Sequence, residues 1–116
     1  MSRRGHSSAA AERRARASVF AALGDETRLA LVAKLCGGEP RSIAQLTGGS
    51  RLTRQAITKH LRVLERVEIV HSVRAGRESL FELNPEPIEE IRSYLDLVSE
   101  EWDQALGRLK SFVEEN

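Results

Sequence analysis

Apolar residues at Ile88, Ile91, Leu95, Val98, Trp102, Ala105, Leu109 and Phe112 alternate steps of three and four, an a/d series four heptads long. That spacing keeps one face of an α-helix apolar from end to end. Asn84 and the prolines Pro85 and Pro87 open the segment, since asparagine caps a helix well and proline is tolerated in its first turn. A helix over residues 85–116 is about 45 Å long at ~1.5 Å per residue. A core drawn from the residues before it is too small to cover all of that seam. An uncovered seam would exceed the few hundred Å² of contiguous apolar surface that a soluble monomer usually tolerates. A second copy of the chain is the expected cover. The residues expected to pack across the twofold axis are Val19 and Phe20 from the first helix and Ile91, Leu95, Val98, Trp102, Ala105, Leu109 and Phe112 from the last. Leu106 and Val113 widen the stripe, while Gly107 lies off it and costs about 1 kcal/mol of helix propensity.

A second periodic stretch runs from Leu52 to Val70, LTRQAITKHLRVLERVEIV, and reads as a helix. Ile57, Leu61 and Leu64, with Ala56 and Val67 beside them, recur at i, i+4 and i+7 and form a narrow core-facing stripe. Arg54, Gln55, Thr58, Lys59 and Arg62 share the opposite face. They offer cations for phosphate, and amide, hydroxyl and guanidinium groups that match base edges in a major groove. Thr53 stands where an N-cap belongs. Taken alone, such a polar face is more often simply solvated, so its neighbours have to decide.

Charge is the first of them. The chain of 116 residues has a net charge of +1, but residues 1–83 hold 15 Lys/Arg against 8 Asp/Glu, and residues 84–116 hold 3 against 9. Seven of the basic residues lie between Arg51 and Arg77, where only two glutamates oppose them. A local basic surface of that kind is the electrostatic footprint of a phosphate-binding face. The length suits one domain with a modest core. Cys36 is the sole cysteine, so neither an intramolecular disulfide nor a zinc cluster is expected, and a reducing cytoplasm is the expected compartment. No run reaches the ~18 apolar residues of a membrane span, and no apolar run follows Ser2-Arg3-Arg4 as an export signal would require.

Residues 1–8 are small, polar and basic, and are expected to form a flexible arm. Arg3, Arg4, Arg13, Arg14 and Arg16 either touch phosphate or are solvated. Ala9–Leu23 has high helix propensity. Gly24 breaks it, and Asp25 caps a second helix to about Cys36 with Leu31, Val32 and Leu35 facing inward. Gly37-Gly38 ends that helix. A short third helix is expected from Ser42 to Leu46, then a turn over Thr47-Gly48-Gly49-Ser50 before the stretch with the basic face. Helix, glycine turn, helix is the order of a DNA-binding helix-turn-helix. Ile69–Arg74 and Glu78–Leu83 are β-prone and flank Ala75-Gly76-Arg77, a hairpin signal. A hairpin after a reading helix is a wing. Arg74 and Arg77 at its tip either reach the DNA backbone or are solvated on a purely structural hairpin. The expected fold is mainly α with a small β-hairpin, a winged helix-turn-helix of order ααααββα. Its DNA-binding part spans residues 9–84, and residues 85–116 form a dimerisation helix of the same domain.

These residues resemble the ArsR-type winged helix-turn-helix repressors of bacteria and archaea over about Val19 to Leu83. VFAALGDETRLALVAKL matches the family's opening helices, TRQAITKHLRVLERVEIV its reading helix and RAGRESLFELNP its wing. Two positions depart from the pattern. Glu26 stands where proline is common, a harmless change because an acid suits a helix N-terminus, and Glu68 stands where a glycine usually ends the reading helix. Metal-sensing relatives carry a CxC motif whose cysteines would fall at Ser42 and Ala44, and neither supplies a thiolate. Residues 85–116 contain no histidine, so no metal or other cofactor is expected. The long helix with its tryptophan looks like that of metal-free members.

The resemblance and the residues together imply a homodimeric transcriptional regulator, a repressor, that binds an inverted-repeat operator in double-stranded DNA. Arg54, Gln55, Thr58 and Lys59 are expected to read bases, and Thr53, Arg62, Arg74 and Arg77 to hold the backbone. The other reading is a winged helix serving only for dimerisation or protein docking, and loss of the basic stripe would mark that case. No nucleophile and base pair, phosphate loop or metal cluster points to an enzyme.

Overall fold

The computed structural model describes residues 4–115, with side chains from Ala9 onward. In chain order the elements are α1 (Arg4–Leu23), α2 (Glu26–Leu35), β1 (Arg41–Ser42), α3 (Ile43–Thr47), α4 (Arg54–Arg66), β2 (Val70–Ala75), β3 (Glu78–Leu83) and α5 (Pro85–Glu115). Helix α1 starts five residues before the expected Ala9, so most of the expected arm has a helical backbone, and residues 1–3 lie outside the described residues.

Two helix starts follow from their caps. Asp25 accepts a hydrogen bond from the Arg28 amide at 3.0 Å and opens α2. Ser42 forms a full capping box at α3, accepting from the Gln45 amide at 3.1 Å while the Gln45 side chain accepts from the Ser42 amide at 2.8 Å. The hydroxyl at the position where metal-sensing relatives place a thiolate is thus committed to a helix terminus.

The sheet adds one strand to the expected winged helix-turn-helix. It has three antiparallel strands in the order β1-β3-β2, not a hairpin alone, so the fold reads ααβααββα. Arg41 pairs with Phe81 and Ser42 with Leu80. A two-residue strand has no period that a sequence could display, and its partner lies far along the chain. In the hairpin itself Ala75 pairs with Glu78, which leaves Gly76 and Arg77 as the loop. Gly76 sits at φ 64°, the positive φ that a two-residue hairpin loop needs to follow the twist of its strands.

The core unites helices α1 to α4 with strands β2 and β3. Ala22, Leu31, Leu35, Leu46, Ile57, Leu61, Leu64, Ile69, Val70 and Phe81 form one buried cluster, with Val19, Leu23, Val32, Ile43 and Ile88 packed against it. Arg28 adds a polar staple. Its guanidinium donates to the Ala22 carbonyl, to the Ala21 carbonyl at 3.4 Å and to His60 Nδ1 at 3.2 Å, tying the end of α1 to α4. Arginine only donates, so His60 Nδ1 accepts.

Helix α4 ends at Arg66, four residues before the expected Val70. The Ile69 amide donates to the Leu64 carbonyl at 3.0 Å and the Glu68 amide to the Glu65 carbonyl at 2.9 Å. That pair of bonds is a Schellman motif, and it requires a left-handed residue between them. Glu68 fills the position at φ 65°. A residue with a Cβ costs about 1–2 kcal/mol there, and the buried pair Leu64 and Ile69 supplies the apolar contact that accompanies the motif.

At its other end the molecule is open. Along α5 only Ile91 is buried, at 7% exposure, whereas Leu95 is 48%, Trp102 64% and Leu109 58% exposed. Tyr94 fixes the helix to α1, with the Arg16 guanidinium 4.7 Å from its ring centroid and the Phe20 ring edge-on at 6.2 Å.

Two stability predictions follow. Glu68→Gly should raise the unfolding free energy by about 0.5–1 kcal/mol, the relieved left-handed cost less the extra chain entropy of glycine. Urea denaturation checks it, and an unchanged or lower midpoint would refute the strain. The Arg28 amide holds the Asp25 carboxyl below its ordinary value of 3.8, helped by the Arg28 charge. A depressed carboxylate stabilises the fold above the unfolded value and loses that contribution as pH falls through the folded one. Asp25→Asn keeps a capping side chain and should flatten the loss of stability below pH ~3.8 relative to the parent.

Candidate nucleic-acid interface

The polar face of α4 is defined by what the helix buries. With Ile57, Leu61 and Leu64 sealed in the core, Arg54, Thr58, Arg62, Gln55, Arg66 and Lys59 occupy roughly 140° of the opposite circumference at ~100° per residue. Arg54, Gln55, Lys59 and Arg62 are exposed and Thr58 is half-buried. Thr53 is the N-cap, its hydroxyl accepting from the Ala56 amide at 3.1 Å. The Thr58 hydroxyl donates to the Arg54 carbonyl at 2.7 Å, which leaves it lone pairs and a methyl group for an outside partner.

One carboxylate links the wing to this helix. Glu65 accepts from the Ser72 hydroxyl of β2 at 2.9 Å and from the Arg62 guanidinium at 3.4 Å. With the Arg62 side chain 66% exposed, that ion pair contributes well under 1 kcal/mol to stability. Its effect is on where Arg62 points. Arg74 and Arg77 are both exposed, Arg74 opposite Ser79 in the hairpin and Arg77 in its loop. His71 and Glu82 pair across the strands at 2.8 Å.

The connection from α3 to α4 spans residues 48–53, longer than the four-residue turn expected, and it is braced throughout. The Lys34 ammonium donates to the carbonyls of Leu46 at 3.0 Å and Gly48 at 3.4 Å, placing a cation at the negative end of α3. The Ser50 amide donates to the Thr47 carbonyl at 2.9 Å, and the Ser50 hydroxyl accepts from the Leu52 amide at 3.0 Å.

The structure therefore places Thr53, Arg54, Gln55, Thr58, Lys59 and Arg62 on one helix with Arg74 and Arg77 on the adjoining wing. Sequence reading placed Ser50 in the turn without its bracing role, and did not find Lys34, Glu65 or Ser72, which touch partners in other elements. The glutamate four residues before Ile69, on the basic helix, was the one visible signal. Among the described residues no group of three His, Cys, Asp or Glu side chains is placed to hold a metal ion, and no helix is long and apolar enough to cross a membrane.

Comparison with known proteins bears on this geometry. A helix-turn-helix domain model matches residues 23–73. The HTH-type transcriptional regulator Rv2034 of Mycobacterium tuberculosis is 33% identical over 85 residues, 73% of this chain and 76% of that protein. An ArsR-like transcriptional regulator from Rhodococcus sp. RHA1 superposes with a TM-score of 0.75 at 34% identity, covering 88% of this chain and 95% of that one. The homodimeric winged helix-turn-helix DNA-binding domain Mb0332 of Mycobacterium bovis shares the fold, with a TM-score of 0.64 at 20% identity over 87% of this chain and 89% of that one. Basic reading helix, braced turn, wing and long last helix, matched along most of the length of two such regulators, make this chain a member of the ArsR family of winged helix-turn-helix transcriptional regulators.

Proposed function

We propose that this regulator is a homodimeric repressor that acts in the cytoplasm by binding an inverted-repeat operator in double-stranded DNA. The observation that carries the reading is the stripe of Arg54, Gln55, Lys59 and Arg62, exposed on the face of α4 opposite its buried residues. Arg54, Gln55, Thr58 and Lys59 read base edges in the major groove, where arginine grips guanine and glutamine grips adenine in bidentate pairs. Thr58, its proton given to the helix, offers its methyl group and lone pairs. Thr53, Arg62, Arg74 and Arg77 hold phosphate, Arg62 being the cation that Glu65 steers.

The dimer is supported by the exposed seam of α5 and by a relative of the same fold that is a homodimer. A twofold axis through the protein imposes the same symmetry on the operator, with half-sites about one helical turn apart or a multiple of it. Burying Trp102 removes on the order of 200 Å², several kcal/mol over the two copies at ~25 cal/mol per Å².

Two outcomes check this reading. Affinity for the operator should fall steeply with salt, each phosphate contact adding about 0.9 to the slope of log affinity against log salt. Lys59→Ala should weaken binding, and Arg54→Ala should in addition relax base preference by roughly 1–3 kcal/mol where it grips a guanine. Equal affinity for operator and random DNA, with no salt slope, would sink the repressor reading. Separately, Trp102→Ala should give a monomer or an unstable chain with much weaker operator binding. A variant that stays a tight dimer in sedimentation would show that Trp102 does not anchor the interface.

A further inference from the structure

We propose that Thr58 selects a thymine in each half-site by packing its methyl group against the 5-methyl group of the base. The inference rests on the operator reading above and deepens it, assigning one base pair to one side chain. A free threonine hydroxyl carries one proton and two lone pairs, so it can donate to a base edge or accept from one and specifies neither. The Thr58 hydroxyl is not free. It donates to the Arg54 carbonyl at 2.7 Å, one turn back along the same helix. That bond commits the proton and holds the stiff, β-branched side chain in one rotamer.

What the side chain has left, a methyl group and the oxygen's lone pairs, decides which base it suits. Guanine shows two acceptors in the major groove, O6 and N7, and a hydroxyl with no free proton satisfies neither. Cytosine shows an N4 amino group and no methyl. A T·A pair shows the thymine methyl together with the N6 amino group of its adenine, so it alone offers an apolar partner for the methyl and a donor for the lone pairs. Turning the hydroxyl outward to donate to any other base would break the bond to Arg54.

Position supports the match. Thr58 lies one turn after Arg54 and one turn before Arg62 on the polar face of α4, and both arginines are exposed while Thr58 is half-buried. A short side chain set back between two long cations touches only what projects from the floor of the groove, and the thymine methyl is the group that projects. Arg54, Gln55, Lys59 and Arg62 all bring donors to this face, and none of them ends in a methyl group. The apolar contact therefore falls to Thr58.

Fluorescence anisotropy of the full chain tests the assignment on a duplex carrying the inverted repeat enriched from genomic fragments. Each thymine of the half-site is replaced in turn by uracil, in both halves at once. Uracil pairs as thymine does and lacks only the methyl. At one position the replacement should weaken parental binding about fifteenfold, a buried methyl contributing about fourfold in each half-site. Thr58→Val keeps a methyl group and removes the hydroxyl, and should show the same loss at the same position. Thr58→Ser keeps the hydroxyl and removes the methyl, and should bind the thymine and uracil duplexes equally there, whereas an effect of uracil on the duplex itself would persist. Circular dichroism confirms that each variant is folded. A serine variant that keeps the thymine preference, a valine variant that loses it, or a parent indifferent to every uracil replacement would overturn the assignment. A parent that binds the enriched duplex no better than random DNA would instead overturn the operator reading.

Discussion

The burial of Ile57, Leu61 and Leu64 is the interaction on which the rest of this molecule depends. These three side chains, one face of α4, sit at the centre of a core to which α1, α2, α3 and the sheet all contribute. Burying one face of a helix dictates the other. Once the apolar stripe is sealed, the helix cannot rotate about its axis without exposing leucine to water, at roughly 1.5–3 kcal/mol for each side chain. The basic face is therefore held outward by the hydrophobic effect, and the polar braces set only finer angles. Arg28 holds α4 to the end of α1 through His60, Lys34 and Ser50 stiffen the turn before it, and Glu65 links it to β2.

Helix α4 also terminates under tension. Ile69 and Val70 must leave the helix and enter the sheet at once, both of them buried, and the chain turns through a left-handed Glu68 to do so. The position where related regulators usually have glycine carries a side chain here. Its strain persists because Leu64, Ile69 and the two Schellman hydrogen bonds over-determine the turn. Wing and reading helix thus share a hinge whose geometry is maintained by packing against residue preference.

Much of this was legible in the chain itself. Period 3.6 in α4, the a/d series in α5, the caps at Asp25 and Thr53 and the glycine hairpin at Gly76 are local features, and local features leave local patterns. What escaped was nonlocal. Strand β1 exists because Arg41 and Ser42 meet Phe81 and Leu80, and two residues carry no period. Ser42 was expected to begin a helix and does so as its cap, but also lies in the sheet. The early start of α1 at Arg4 escaped because polar and basic composition was weighed above helix propensity. On the binding face the exposed arginines and glutamine could be named from spacing alone. Glu65, Ser72 and Lys34 could not, because their roles are defined by partners in other elements.

The central claim is that a buried stripe on α4 and an apolar seam on α5 together present two copies of one reading face to one symmetric stretch of DNA. Selection and sequencing of genomic fragments retained by the full-length protein tests it most directly. The account predicts strong enrichment of an inverted repeat whose half-sites are centred about 10–10.5 base pairs apart, or a multiple of that spacing. Retained fragments with no shared motif, or with a single unpaired half-site, would contradict it.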